Sequence, residues 1–224
     1  MTKSENLLII FMKFPRPGAV KTRLQPEISP EGSYRLFRAM CEDLVANLQN
    51  SEQFDLQIHF WPPEGEAQMR DWLGEHLAFV PQIAGNLGEK MNGAIANSLA
   101  AGYRKAAIIG SDLPTLDAAR INLAFEKLDS SDAVFGPTND GGYYLVGMRR
   151  ANPALFENIP WSTTSVFVKT MEVANSNHIS VALLPQESDI DTFDEVRLLW
   201  AQWKNRVADA PFPKTIAEIQ RFFN

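Results

Sequence analysis

Leu7, Leu8, Ile9, Ile10, Phe11 and Met12 form an unbroken apolar run of six residues, too short for a membrane span or a signal segment. No face of such a run can be turned to water. A strand covered by other layers on both sides is therefore predicted over it, the environment of a central strand in a parallel sheet. The next segment cannot continue that strand. Lys13 to Leu24 is broken by Pro15, Pro17 and Gly18, which makes it a loop at a strand's carboxyl end.

Ser29 followed by Pro30 marks a helix start, and Tyr34, Phe37, Cys41, Leu44, Val45 and Leu48 recur at helical spacing, so an amphipathic helix is predicted from Pro30 to about Leu48. The alternation then repeats. Asp55 to Trp61 reads as a strand, Glu64 to His76 suits a helix, and Leu77 to Ala84 suits a short strand. Leu87, Met91, Ile95, Leu99 and Tyr103 recur at helical spacing through Glu89 to Tyr103, and the strand Ala106 to Gly110 comes next, stopped by Pro114. A helix over Asp117 to Leu128, strands over Ala133 to Phe135, Tyr143 to Met148 and Val181 to Leu184, and a helix over Phe193 to Trp203 complete the pattern. Strands alternating with helices predict an α/β fold, a three-layer α/β/α sandwich around a largely parallel sheet.

The length of 224 residues, without internal repeats or a linker, suits one domain spanning residues 1–224. Hydrophobic residues at 45% and charged residues at 21% exclude a disordered chain. A net charge of −6 with no long basic run argues against nucleic acid as a partner, although local placement of Lys and Arg still permits a phosphate ligand. The single cysteine, Cys41, cannot form an intrachain disulfide, and its place in an apolar stripe predicts a buried thiol in a reducing, cytoplasmic setting. No membrane span is predicted, and the sequence does not specify an oligomeric state.

In an open sheet of this kind ligands sit beyond the carboxyl ends of the strands, where the polar loops fall. The first, KFPRPGAVKTRL, gathers Lys13, Arg16, Lys21 and Arg23 around Gly18. A phosphate needs concentrated positive charge and close backbone approach, which these residues offer, although the glycine and lysine spacing is not that of a Walker A loop. A solvated basic turn has the same composition; the position after a buried strand favours the phosphate. GSDLP sets Asp112 just beyond another buried strand, where its carboxylate meets the crevice rather than the core. Asp117 is the better cap for the next helix, which leaves Asp112 for a hard cation, Mg2+ or Mn2+.

In GPTNDGGYYLVGM, Gly141 and Gly142 leave the backbone bare beside Asp140. An Asp-Gly pair between strands is also a hairpin turn, and a turn that aims Asp140 at an acceptor satisfies both readings. In DIDTFDE, Thr192 and Glu195 form a capping box, while Asp189 and Asp191 are left over; Asp191, just before the cap, is placed to be a second metal ligand. Trp161, Ser162 and Thr163 in PWSTTSVF suit the cap of a helix starting at Thr164, and Trp161 and Ser162 are also candidates for substrate contact. His59, His76 and His178 are scattered, with neither zinc spacing nor a nucleophile elbow nearby.

The ordered set VKTRL, QIAGNLGEKM, GSDLP, GPTNDGGYYLVG, WST and DIDT resembles the GT-A-like glycosyltransferase family known as radical-SAM/selenodomain-associated transferases, within the nucleotide-diphospho-sugar transferase superfamily. The motifs run from Lys13 to Thr192 and cover most of the chain. The resemblance implies a Rossmann-like GT-A sandwich with a mostly parallel mixed sheet. It implies a nucleotide or nucleotide-sugar donor held by the first loop, with Lys13 and Gly18 in that loop and Lys21 and Arg23 as the phosphate-contacting pair. Gln82 and the GNLGE turn, with Gly88, would flank the nucleobase, and Ser111 would join the nucleotide site. Asp112 matches the carboxylate of the superfamily's metal motif, and Asp191 matches a second ligand supplied by a late loop in related nucleotidyltransferases. GSDLP departs from the Asp-x-Asp pattern usual in glycosyltransferases, with Ser111 and Leu113 around a single aspartate. VKTRL also looks like the loop of phospholactate guanylyltransferases.

That set is compatible with three functions. The first is a metal-dependent glycosyltransferase in which Asp140 orients or deprotonates a small-molecule acceptor hydroxyl and a nucleoside diphosphate leaves. The second is a nucleotidyltransferase, in which a phosphorylated acceptor attacks the nucleotide α-phosphorus, Lys21, Arg23 and the metal stabilise the developing charge, and pyrophosphate leaves. A nucleotide-binding regulator without turnover is the third, and the intact Asp112, Asp140 and Asp191 argue against it.

Overall fold

The computed structural model describes residues 4–224. β1 (Asn6–Lys13), β2 (Asp55–Trp61), β3 (Ala78–Pro81), β4 (Lys105–Ile109), β5 (Ala133–Pro137), β6 (Tyr143–Met148) and β7 (Val181–Leu183) form one sheet in the order β3-β2-β1-β4-β6-β5-β7. β1 pairs in parallel with β2 and β4, β2 with β3, and β5 with β7, while β6 runs antiparallel between β4 and β5. The sheet is therefore mixed and mostly parallel, with β6 the reversed strand.

β1 is buried on both faces because helices cover both. Leu8, Ile10 and Met12 pack with α1 (Gln25–Leu48), α2 (Glu66–Leu73) and α4 (Ala118–Lys127) through Cys41, Leu44, Met69 and Phe125. Leu7 and Ile9 pack the other way, against Met91 and Ile95 of α3 (Leu87–Ala100) and Ala174 of α5 (Val166–Ser176). This is the three-layer sandwich.

The helix starts follow local chemistry. Ser29 has φ 64 and ψ 161, outside helical space, so the long helix restarts at Pro30 with the Gly32 amide donating to Ser29 Oγ at 3.2 Å. One extra turn, Gln25 to Ile28, precedes that break. α3 begins at Leu87, before the expected Glu89, because Asn86 and Glu89 close a capping box. Asp117 caps α4, accepting from the Arg120 amide at 2.8 Å. α6 (Phe193–Trp203) matches the expected bounds, opened by the Thr192 and Glu195 box. α5 starts at Val166 rather than Thr164.

The sequence pattern did not suggest α7 (Pro213–Gln220). It packs with α6 on the outer side of α1, where Leu36, Met40, Leu199, Phe212, Ile216 and Ile219 share a third apolar cluster. Asp43 of α1, 2% exposed, accepts from the backbone amides of Lys214 and Thr215 at 3.2 and 2.7 Å, and so supplies from another helix the cap that α7 lacks. Among the described residues no helix is long and apolar enough to cross a membrane.

Removing that cap leaves two amide donors at the buried start of α7 without their partner. Asp43→Ala is expected to cost about 1–3 kcal/mol of stability in urea unfolding, with amide exchange rising first in α7. Uniform exchange across the chain would show that Asp43 does not anchor this helix.

Candidate active site

The polar loops converge at one edge of the sheet. The loop after β1 ends in a short 3-10 turn, Thr22–Leu24, preceded by Lys21 in the left-handed region at φ 46 and ψ 47. For a residue with a side chain that conformation costs about 1–2 kcal/mol, and it turns Lys21 inward. Its Nζ lies 2.5 Å from Asp112 Oδ1 and 2.6 Å from Asp191 Oδ1, offsetting the strain with two charge-assisted contacts. The lysine side chain is 4% exposed, whereas those of Asp112 and Asp191 are 40% and 43% exposed. Burial alone pulls the Lys21 ammonium pKa down, but Asp112 and Asp191 outweigh it and hold the value above that of an ordinary lysine.

The two aspartate loops are tied to each other. The Ile190 amide donates to the Asp112 carbonyl at 3.2 Å, which sets Asp191 opposite Asp112. Arg120 of α4 steadies the late loop from below, reaching Glu187 at 2.8 Å and Tyr144 Oη at 3.2 Å. Asp189 joins the cluster: burial, then the Asp112 charge, pushes its carboxyl up to about 7 against the opposing pull of Lys21, with Asp191 and Asp140 adding to the rise.

Two cavities open on this cluster. The first, about 520 Å3, is lined by Lys13, Lys21, Gln82, Lys90, Ser111 and Asp112 among others. Lys90 Nζ sits 4.1 Å from the centre of the Trp61 ring in its wall. The second, about 450 Å3, is walled by Met91, Ile108, Tyr143, Val146 and Trp161, with Asp140, Gly142 and Ser162 also lining it. Phe11, Arg23, Leu87 and Asp191 line both, so the cavities meet at a cation and a carboxylate.

The structure thus brings together Lys13, Lys21, Arg23, Gln82, Ser111, Asp112 and Asp191 around the first cavity, and Asp140, Gly142, Trp161 and Ser162 around the second. Lys13 Nζ donates to the Ala19 carbonyl at 3.1 Å, closing the loop on itself. The Gln82 side-chain amide donates to the His59 carbonyl at 2.9 Å, which fixes it in the wall. Asp140 accepts at Oδ1 from Thr138 Oγ1 at 2.5 Å and from the Gly142 amide at 3.0 Å, the expected turn.

Three glycines expected at the site have other work. Gly18 bends the loop at φ +78 without lining either cavity. Gly88 is buried, and a Cβ there would stand 2.5 Å from the Phe156 carbonyl oxygen and 2.8 Å from the Trp161 ring; it makes room for both. Gly141, at φ +89, abuts the Thr164 carbonyl, 2.0 Å from where a Cβ would be, and its own carbonyl accepts from the Phe167 amide at 2.8 Å. Gly141 joins the turn to α5, while Gly142 faces the cavity. In the WST segment only Thr163 bonds to the start of α5, through its carbonyl to the Val166 amide at 3.4 Å; Trp161 and Ser162 line the second cavity instead of capping.

Sequence reasoning did not single out Trp61, Lys90 or Tyr143, which sit in apolar or helical stretches that packing explains equally well. Asp189 carried a signal, since the capping box left it without a purpose.

The carboxylates also pass a test for a divalent ion. Asp112 and Asp191 already converge on one cation, the Lys21 ammonium, and their hard oxygen donors suit Mg2+ or Mn2+. Among the described residues no three His, Cys, Asp or Glu side chains are grouped to hold an ion by themselves. Two carboxylates completed by phosphate oxygens and water are the usual protein share of a Mg2+ site.

Residues 44–163 match the model of the DUF2064 family, described as an uncharacterized protein conserved in bacteria. A candidate nucleotide-diphospho-sugar transferase from Desulfovibrio desulfuricans G20 is 29% identical with a TM-score of 0.88, covering 98% of both chains. The fold is shared with 4-diphosphocytidyl-2C-methyl-D-erythritol synthase from Anaerococcus prevotii DSM 20548, at TM-score 0.56 and 10% identity over 90% of this chain and 100% of that one. A cytidylyltransferase from Leptospira borgpetersenii serovar Hardjo-bovis gives 0.54 and 14% over 98% and 94%.

Gly88→Ala is expected to force the Trp161 ring aside. Overpacking of this kind costs about 1–3 kcal/mol, measurable by urea unfolding together with a shift in tryptophan emission. Unchanged stability and emission would show that the close approach at Gly88 is not what seats Trp161.

Proposed function

The chain belongs to the DUF2064 family and to the nucleotide-diphospho-sugar transferase superfamily, and we propose that it is a metal-dependent transferase acting on a nucleotide-activated donor. The observation that carries this reading is the junction of the two cavities, where Arg23 and Asp191 face both and Lys21 and Asp112 stand beside them. In it, the first cavity takes the nucleotide, with the base against the Gln82 wall and the phosphates at Lys13, Lys21 and Arg23. The second takes the group that is moved or the small molecule that receives it. The bond that breaks lies between them, at Arg23.

Each residue's share depends on where it stands. Arg23, exposed and with no ion-pair partner among the described residues, offers a planar fork to phosphate oxygens. Lys13 adds charge at the rim. Asp112 and Asp191 would hold Mg2+ or Mn2+, which when bound supplies a positive charge against the departing phosphate. Asp140 keeps one carboxylate oxygen for its own turn and has the other for an acceptor hydroxyl. Trp161 provides a flat wall for the bound group, and the apolar lining excludes water.

Glycosyl transfer from a nucleotide sugar is the first reading, in line with the Desulfovibrio relative. Nucleotidyl transfer to a phosphorylated acceptor is the second. It asks less of Asp140, which has one carboxylate oxygen left after Thr138 and Gly142, because a phosphate nucleophile is ionised and needs no base. Incubation with mixed nucleoside triphosphates, sugar nucleotides and Mg2+ or Mn2+ in a small-molecule extract separates them. Nucleoside diphosphate release marks glycosyl transfer and pyrophosphate marks nucleotidyl transfer; neither product would sink the enzymatic reading.

Asp112→Ala is expected to remove the divalent-dependent part of nucleotide binding in calorimetry while leaving the melting curve that of a folded protein. An unchanged metal dependence would move the ion elsewhere. Arg23→Ala is expected to weaken inorganic pyrophosphate about tenfold or more, the scale of a lost charge-assisted contact, with little effect on a free nucleoside. Equal losses for both would rule out a phosphate contact at Arg23.

A further inference from the structure

We propose that Lys21 is a built-in counter-ion that holds the place of the divalent cation between Asp112 and Asp191 and yields it only to incoming phosphate, so that metal and nucleotide bind as a coupled pair. The inference rests on the metal reading above and goes beyond it, because it concerns order and interdependence rather than ligand identity.

The geometry permits one cation at this position. Lys21 Nζ is within 2.6 Å of an oxygen from each carboxylate. A divalent ion held by Asp112 and Asp191 would compete with the ammonium for their oxygens, and two cations crowded into a partly desolvated site would repel strongly. Lys21 is nearly inaccessible while both aspartates are half open to the cleft, so the aspartates can receive an ion from solvent but the lysine must move first. Moving it into the cavity without an anion would separate a buried charge from its partners, a costly step. A phosphate in the first cavity, which Lys21 itself lines, supplies that anion. The ammonium then trades two carboxylates for phosphate oxygens, and Asp112 and Asp191 become free for the metal.

The surrounding charges support the exchange. Two aspartates, Asp112 and Asp191, face the one lysine, so the pair still attracts positive charge with Lys21 in place. By linkage, phosphate must tighten metal binding by the same factor as metal tightens phosphate.

The test reads Mn2+ binding by electron paramagnetic resonance on the purified protein, without nucleotide, in wild type, Lys21→Met and Lys21→Gln. With the counter-ion gone, both variants are expected to bind Mn2+ about tenfold or more tightly than wild type, within the usual range of coupling between sites. Adding Asp112→Asn to either variant should abolish the gain. In wild type, inorganic pyrophosphate should bring in the Asp112-dependent Mn2+ signal. If wild type binds Mn2+ alone as tightly as the Lys21 variants, the counter-ion role is overturned while the metal reading stands. If no protein shows Asp112-dependent Mn2+ binding even with pyrophosphate, the metal reading itself fails. Acylation footprinting of wild type covers the case in which the variants do not fold. Lys21 should stay protected with Mn2+ alone and change its labelling only when pyrophosphate is added; a change with Mn2+ alone overturns the proposal.

Discussion

A strand with helices on both sides has no lateral position for a charge, and that constraint on β1 organises the molecule. Leu8, Ile10 and Met12 face one helical layer and Leu7 and Ile9 the other, so polar chemistry can begin only where the strand stops. β4 beside it is equally apolar, with Ala106, Ala107, Ile108 and Ile109 buried. Because β1 and β4 are parallel, the basic loop and GSDLP emerge side by side at one edge. Lys21 and Asp112 meet because two neighbouring strands run out of apolar residues at nearly the same height.

The reversed strand completes that edge from the other direction. β6 starts where β4 ends, with the Gly110 amide donating to the Tyr144 carbonyl at 3.3 Å, and so the turn preceding β6 delivers Asp140 to the cleft. A parallel strand in that position would carry the turn to the far end of the sheet. The last carboxylate arrives through β7, which pairs in parallel with β5 and releases the late loop at the same edge. The contact between Ile190 and Asp112 then fixes Asp191 opposite Asp112, on loops far apart in sequence.

Much of this was legible from the residues in order. Period and punctuation place every strand and nearly every helix, because a doubly buried strand and an amphipathic helix leave different patterns. The capping residues Asp117, Thr192 and Glu195 fixed helix starts, since cap chemistry is local. α7 carries one local start signal, Pro213 in its first turn, but its cap is Asp43, on another helix and distant in sequence. Asp112 and Asp191 stand out in the sequence because neighbouring residues already cap the helices beside them, whereas Asp140 also reads as a turn residue and Lys21 and Arg23 are singled out from a basic loop only by the family resemblance. Gly88 and Gly141 are not separable in sequence from substrate-facing glycines, because what excludes a side chain is the Phe156 carbonyl with the Trp161 ring in one case and the Thr164 carbonyl in the other. Spacing along the chain does not carry that information.

The partner of Lys21 is the clearest case of sequence order understating a site. Counted along the chain, the first loop supplies Lys13, Arg16, Lys21 and Arg23 as a block of positive charge for an anion. In the fold one of them is already neutralised by two carboxylates that arrive from other loops, while Lys90 and Trp61 come in from α3 and β2 to line the same cavity. The charge facing a ligand would thus be borne by Arg23, Lys13 and Lys90, with Lys21 held behind them by its two carboxylates. In the proposed reading an anion would meet the exposed cations first and reach the buried one only on full entry. In the proposed reading one loop would therefore divide two tasks among its cations: attraction at the mouth by the exposed ones, and rearrangement of charge by Lys21 at the junction where the two cavities meet.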